Sequence, residues 1–204
     1  MGYDAMTIGD LDLQLGPEVL RQRMAEASSP FLSANVALAS DGEPLAQPYV
    51  VREFEGRKVG IIGLTWDFGG QPPAGTEEQY VILGGEEVLT RYVSQLEGQT
   101  DIIIVLSNMG HEEDQRLSSL VPGIDLIVGG RSRIPIPQGW RNDQSGTIIV
   151  EAGSQGIYLG RRHLHFDVAG SVKEYWEELV VLTPYYTYYP QILKFLGGAG
   201  NGGC

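Results

Sequence analysis

Four short runs of Val, Ile and Leu stand out along the chain: KVGIIGLT at 58–65, DIIIVLS at 101–107, IDLIVGG at 124–130 and TIIVEAG at 147–153. None alternates apolar with polar residues. Each therefore reads as a strand covered on both faces, as the inner strands of a parallel sheet are. Helical spacing fills the gaps between them. Val88, Leu89, Tyr92, Val93 and Leu96 fall on one face of a helix predicted over Glu86–Leu96, which Gly98 stops. A helix over Pro17–Ala27 is predicted from the proline at its first turn, and a third begins near HEEDQRLSSLV at 111–121, acidic at its start as the helix dipole favours. Strand and helix in alternation predict an α/β fold with a largely parallel or mixed sheet.

The pattern changes toward the end. YLGRRHLHFDV at 158–168 and VKEYWEELVVL at 172–182, separated by Ala169, Gly170 and Ser171, predict a hairpin of two long strands. PYYTYYPQILKFL and the glycine-rich GGAGNGGC then close the sequence. The expected division is a domain over 1–183 and a Tyr-rich segment with a Gly-rich tail over 184–204, the tail read as a linker or disordered end.

Composition narrows the classes of partner. A chain of 204 residues with 42% hydrophobic content can bury one sizeable core. Fourteen Lys and Arg against 26 Asp and Glu leave a net charge of -12, a field that repels nucleic acid and anionic membrane, so any anion site must be local. Neither a nucleic acid nor a membrane span is expected, since no run approaches the roughly 18 apolar residues a span needs. The first residues, MGYDAMTIGD, lack the basic and apolar regions of a signal peptide. The single cysteine, Cys204, can pair only with another chain.

The polar residues able to do chemistry follow the predicted strands. Thr65 to Asp67 follow one, Ser107 and Asn108 the next, and Arg131 to Arg133 the third, all at carboxyl ends, where open α/β sheets bind ligands. TIGDLDLQLG is expected to end a strand in the same way, bringing four strand ends to one rim. Neither a Walker nor a dinucleotide glycine loop is present, nor a serine elbow.

GYDAMTIGDLDLQLG, FLSANV, GRKVGIIGLT, DIIIVLSNMGHEEDQRLSSLVPGIDLIVGGRSR and IIVEAGSQGIYLGRRHLHFD occur in one order and at one spacing. In this they resemble the calcineurin-like metallophosphoesterases, in their 5'-nucleotidase and UDP-sugar hydrolase branch. The resemblance covers most of residues 1–168. It implies an αββα sandwich, here expected to be N-terminally incomplete, and a periplasmic or extracellular setting.

It also implies where chemistry would sit. The family reads Gly-Asn-His-Glu where this chain has Gly9, Asp10, Leu11 and Asp12; there the Asn holds metal and the His protonates the leaving group. A metal-binding His stands where this chain has Asn108, and Gly-His-Ser-His stands where it has Gly130, Arg131, Ser132 and Arg133. The family's first two metal motifs, an Asp-x-His and a Gly-Asp, precede the segment that opens this sequence.

On the residues themselves, two-metal hydrolysis needs several N or O ligands for each cation, and arginine has no lone pair to donate. Asp10 and Asn108 are the residual metal candidates, and no catalytic residue is assigned. No cofactor is expected, the alternative being a divalent metal such as Zn or Mn. Three readings of Arg131 and Arg133 stand: a metal-free ionic plug with Asp10, a phosphate or nucleotide site that includes Asn108, and a solvated loop.

The function expected is a non-catalytic module, structural, docking or ligand-sensing, with self-association or another protein chain as partner. The alternative is a phosphoester hydrolase that takes its missing ligands from a partner or an upstream segment. Elsewhere, His111 is read as a surface or capping histidine or a substitute ligand. His163 and His165 share a strand face and are read as packing. Asp67 receives no role, EEDQR at 112–116 reads as a solvated helix start, and Tyr185, Tyr186, Tyr188 and Tyr189 either dock a ligand or partner or cover a sheet edge.

Overall fold

A computed structural model of the chain describes residues 2–69, 71–166 and 172–182. In chain order the elements are β1 (Met6–Thr7), a 3₁₀ turn (Asp12–Leu15), α1 (Pro17–Glu26), β2 (Phe31–Leu32), β3 (Val36–Leu38), β4 (Tyr49–Phe54), β5 (Arg57–Leu64), β6 (Tyr80–Ile82), α2 (Gly85–Leu96), β7 (Ile102–Ser107), α3 (His111–Leu120), β8 (Leu126–Gly129), β9 (Trp140–Arg141), β10 (Ile148–Glu151), β11 (Tyr158–Phe166) and β12 (Val172–Val181). All four predicted apolar strands, all three helices and the hairpin strands are present. Residues 169–171, predicted as the hairpin turn, and the segment 184–204 lie outside the described residues.

A six-stranded sheet ordered β4-β5-β7-β8-β10-β9 forms the centre. β5, β7, β8 and β10 run parallel, and antiparallel β4 and β9 close its two edges. The parallel strands are apolar on both sides because both sides are covered. Ile62, Leu64, Ile103, Val105, Ile127 and Ile149 face α2 and α3, meeting Val88, Leu89, Val93, Leu96, Leu117 and Val121. Their neighbours Val59, Ile61 and Ile102 face the other way, with Leu32 and Val50. Leu126, Ile148 and Val150 also face that side, where Leu164 and Tyr175 of the β11–β12 hairpin pack on them. The result is a mixed α/β fold built on a central mixed sheet.

A smaller cluster seats the N-terminal segment. Ile8, Leu13, Leu20, Val36, Leu38, Tyr80 and Ile82 bury together beneath α1, the parallel pair β1-β2 and the antiparallel pair β3-β6. The chain following β2 crosses β5 at Gly63, where the Ala34 N–H donates to the Gly63 carbonyl at 2.8 Å and a side chain would overlap Leu32. Asn35, fully buried, then ties the two layers: its amide oxygen accepts from the Thr65 N–H at 3.0 Å and its amide nitrogen donates to the Thr65 carbonyl at 2.7 Å.

Candidate functional site

The carboxyl ends of β5, β7 and β8 bring the site residues together. After β1, the chain turns tightly over residues 9–12: the Asp12 carboxylate accepts from the Gly9 N–H at 2.8 Å, and the Asp12 N–H donates to the Gly9 carbonyl at 3.2 Å. That turn is fastened to the end of β7, because the Asp10 N–H donates to Asn108 Oδ1 at 2.9 Å. Asn108 is fixed in turn by its own N–H, which donates to the Leu64 carbonyl at 2.8 Å. The loop after β8 joins them through Gly130, whose N–H donates to the Ser107 carbonyl at 3.0 Å.

Gly9, Asp10, Leu11, Asn108, Gly130, Arg131 and Arg133 line one cleft of about 440 Å³. Within it the two arginines differ. Arg131 is half-buried; its Nε lies 3.7 Å from Asp10 Oδ2, an ion pair too long for a hydrogen bond, and its Cζ sits 3.5 Å from the centroid of the Trp66 ring. Trp66 stacks onward against Phe68, with ring centroids 4.1 Å apart. Arg133 is exposed, holds a left-handed backbone at φ 61°, and among the described residues makes no ion pair with Asp10. Leu11 is 63% exposed at the cleft mouth and has no proton to give. No group of three or more His, Cys, Asp or Glu side chains positioned to hold a metal occurs among the described residues.

Several expected positions are placed elsewhere. Thr65 does not reach the rim: it is fully buried, and its hydroxyl donates to the Ile8 carbonyl at 2.9 Å and bonds the Ser33 hydroxyl at 2.8 Å. Asp67 Oδ1 accepts from the Gly69 N–H at 3.0 Å in a local turn. His111 begins α3, its N–H donating to Ser132 Oγ at 2.6 Å and its ring edge-on to Trp140. It lines a separate hollow beyond Arg131, away from the Asp10 cleft. His163 lies against Trp176, centroids 5.0 Å apart.

The reading of EEDQR as a solvated helix start is corrected at Asp114, which is fully buried. The missed signal is helical: Asp114, Leu117, Ser118 and Val121 share one face, and all four are buried. Asp114 accepts a short hydrogen bond from the Ser107 hydroxyl, and burial pushes its carboxyl up to about 7. Glu151, at the end of β10, is the second carboxyl the sequence did not reveal; burial raises it as well.

No family model matches the chain. Protein UshA of Yersinia enterocolitica is 33% identical over 198 residues, covering 81% of this chain and 36% of that protein. The crystal structure of a 5'-nucleotidase precursor from Thermus thermophilus superposes with a TM-score of 0.83 at 28% identity, covering 97% of this chain and 42% of that one. The calcineurin-like phosphoesterase YfkN of Bacillus subtilis has the same fold, with a TM-score of 0.77 at 23% identity over 96% of this chain and 69% of that one. The chain belongs to the calcineurin-like metallophosphoesterase family, in its 5'-nucleotidase branch. It spans about a third of the length of the curated relatives it matches. Within the metallophosphoesterase fold, the Asp10 cleft lies at the rim where the parallel strands end. No helix among the described residues is long and apolar enough to cross a membrane.

Proposed function

We propose that this chain is a nucleotidase-fold module in which an ionic plug stands where a pair of metals would, so that it serves a structural, docking or ligand-sensing role rather than hydrolysis. The observation that carries the reading is Arg131, held between the Trp66 ring and Asp10. A permanently protonated guanidinium supplies positive charge beside the acidic turn but no lone pair for a cation.

The donor set around it does not fit a two-metal centre. Asp10 brings one carboxylate that already faces Arg131, and Asn108 brings an amide oxygen already accepting from the Asp10 backbone. Among the described residues, neither cation would find the three or four protein ligands such a site takes. Leu11 offers no proton to a leaving group. Arg133, exposed on the same cleft, is the group free to meet an anion such as phosphate. A periplasmic or extracellular setting and association with another chain or a second copy belong to the same proposal.

The test is turnover. Incubated with a nucleoside 5'-monophosphate and a generic phosphate ester, with added Mn²⁺ or Zn²⁺, the chain is expected to release no phosphate above the blank. Turnover that depends on metal and saturates with substrate would overturn the reading in favour of a hydrolase. Turnover appearing only with a second polypeptide would favour a hydrolase completed by a partner.

A further inference from the structure

Behind the arginine loop lie two carboxyls with which, among the described residues, no Lys or Arg forms an ion pair. Asp114, on α3, is 0% exposed and Glu151, at the end of β10, is 1% exposed. Asp114 Oδ1 accepts from the Ser107 hydroxyl, while Asp114 Oδ2 and both Glu151 oxygens have no hydrogen-bond partner. They press on the same point of β8 from two sides. A methyl group on Gly129 would lie 3.0 Å from Asp114 Oδ2 and 3.4 Å from Glu151 Oε2.

The surroundings of the two carboxyls differ. Ser107 on β7 and Glu113 on α3 act on Asp114, and Gly129 on β8 contributes no charge. Glu151 is faced by the backbone N–H groups of Arg133 and Ile134, by Ser132 and by His111, close enough to favour its anion without closing to hydrogen bonds. Among the described residues no Lys or Arg forms an ion pair with either carboxyl. Two buried carboxylates so close cannot both ionise cheaply, and the one with more donors keeps the charge.

We propose that Asp114 and Glu151 hold one proton between them, mostly on Asp114, and that its loss releases the arginine-bearing loop 129–134 from Glu151. With both groups ionised, the repulsion is relieved by the Glu151 side chain moving outward, since no hydrogen bond holds its carboxylate. Arg133, whose left-handed backbone is costly for a non-glycine residue, then loses the carboxylate that its N–H faces. The proton thereby becomes a ligand that sets the seat of the cleft wall, whether or not the cleft hydrolyses anything.

The experiment is a carboxyl and amide NMR titration of the intact chain over roughly pH 4 to 9. One side-chain carboxyl is expected to titrate near 7, and the Arg133 and Ile134 amide signals to shift with the same midpoint. In Asp114→Asn both changes should vanish, and in His111→Gln both should persist, which separates the pair from histidine titration. Carboxyls that all titrate in the ordinary acid range, amides that stay still, or a transition lost in His111→Gln would each overturn the proposal. The wild-type titration decides even where a variant does not fold.

Discussion

The guanidinium of Arg131 sits over the ring of Trp66, its Cζ 3.5 Å from the ring centroid, while its Nε faces Asp10 at 3.7 Å. The stacking is the stronger half of this arrangement. A cation over an indole is worth ~0.5–2 kcal/mol depending on desolvation. A half-exposed ion pair without a hydrogen bond adds about 0.2–1 kcal/mol at most.

Arg131→Met keeps much of the apolar stem and removes the charge, so it is expected to lower stability by roughly 1–2 kcal/mol in urea denaturation. Arg133→Met, at an exposed position, should stay within about 0.5 kcal/mol of wild type. Equal losses from the two, or none from Arg131→Met, would contradict the plug.

Stability should depend on pH through Asp114. Its folded carboxyl is raised from 3.8 to about 7, chiefly by burial, so the unfolded chain gives up this proton first. The stability it contributes is therefore full below about pH 4 and is lost as pH rises toward 7, by about 4 kcal/mol as an upper bound. Asp114→Asn can still accept from Ser107 and can donate to Glu151. Denaturation midpoints at about pH 4 and about pH 7, the two limits of this window, should differ less in Asp114→Asn than in wild type.

Gly63→Ala tests the crossing of the N-terminal segment over β5. The added methyl would meet Leu32 Cβ and lie 2.6 Å from the Leu32 backbone carbon and oxygen, with no flexible atom to yield. A loss of about 3 kcal/mol or failure to fold is expected by chemical denaturation and solubility. Retention of wild-type stability would show that β2 does not lie against β5 at this point.

Asn35→Ala leaves the Thr65 N–H and carbonyl buried without their partners. Each orphaned group costs about 1–3 kcal/mol, so the variant should lose at least about 2 kcal/mol in the same assay. A smaller loss would mean the layers are held by packing alone.

The legibility of the sequence followed the cover over each element. β5, β7, β8 and β10 were plain because their apolar positions, Val128 excepted, are buried or half-buried on both faces, and α2 because its apolar face is unbroken. β4, whose YVVREF mixes buried, half-buried and exposed positions, left no continuous run, though the turn at Glu55 and Gly56 marks its hairpin with β5. β1, β2, β3 and β6, of two or three residues each, are too short to show a period. In the site, Asp10, Asn108 and Arg131 could be found by their place after strands. Glu151 could not, because a carboxylate at the end of an apolar strand reads as a solvated cap until the loop after β8 is seen folded over it.

The most direct measurement of the central claim is thermal unfolding of the intact chain in millimolar Mn²⁺ and in chelator. A metal bound only by the folded state at a hundred times its Kd would add about 2.7 kcal/mol and raise Tm by several degrees. With Arg131 between Trp66 and Asp10, the two Tm values are expected to coincide; a rise in Mn²⁺ that the chelator reverses would show that the cleft still binds metal.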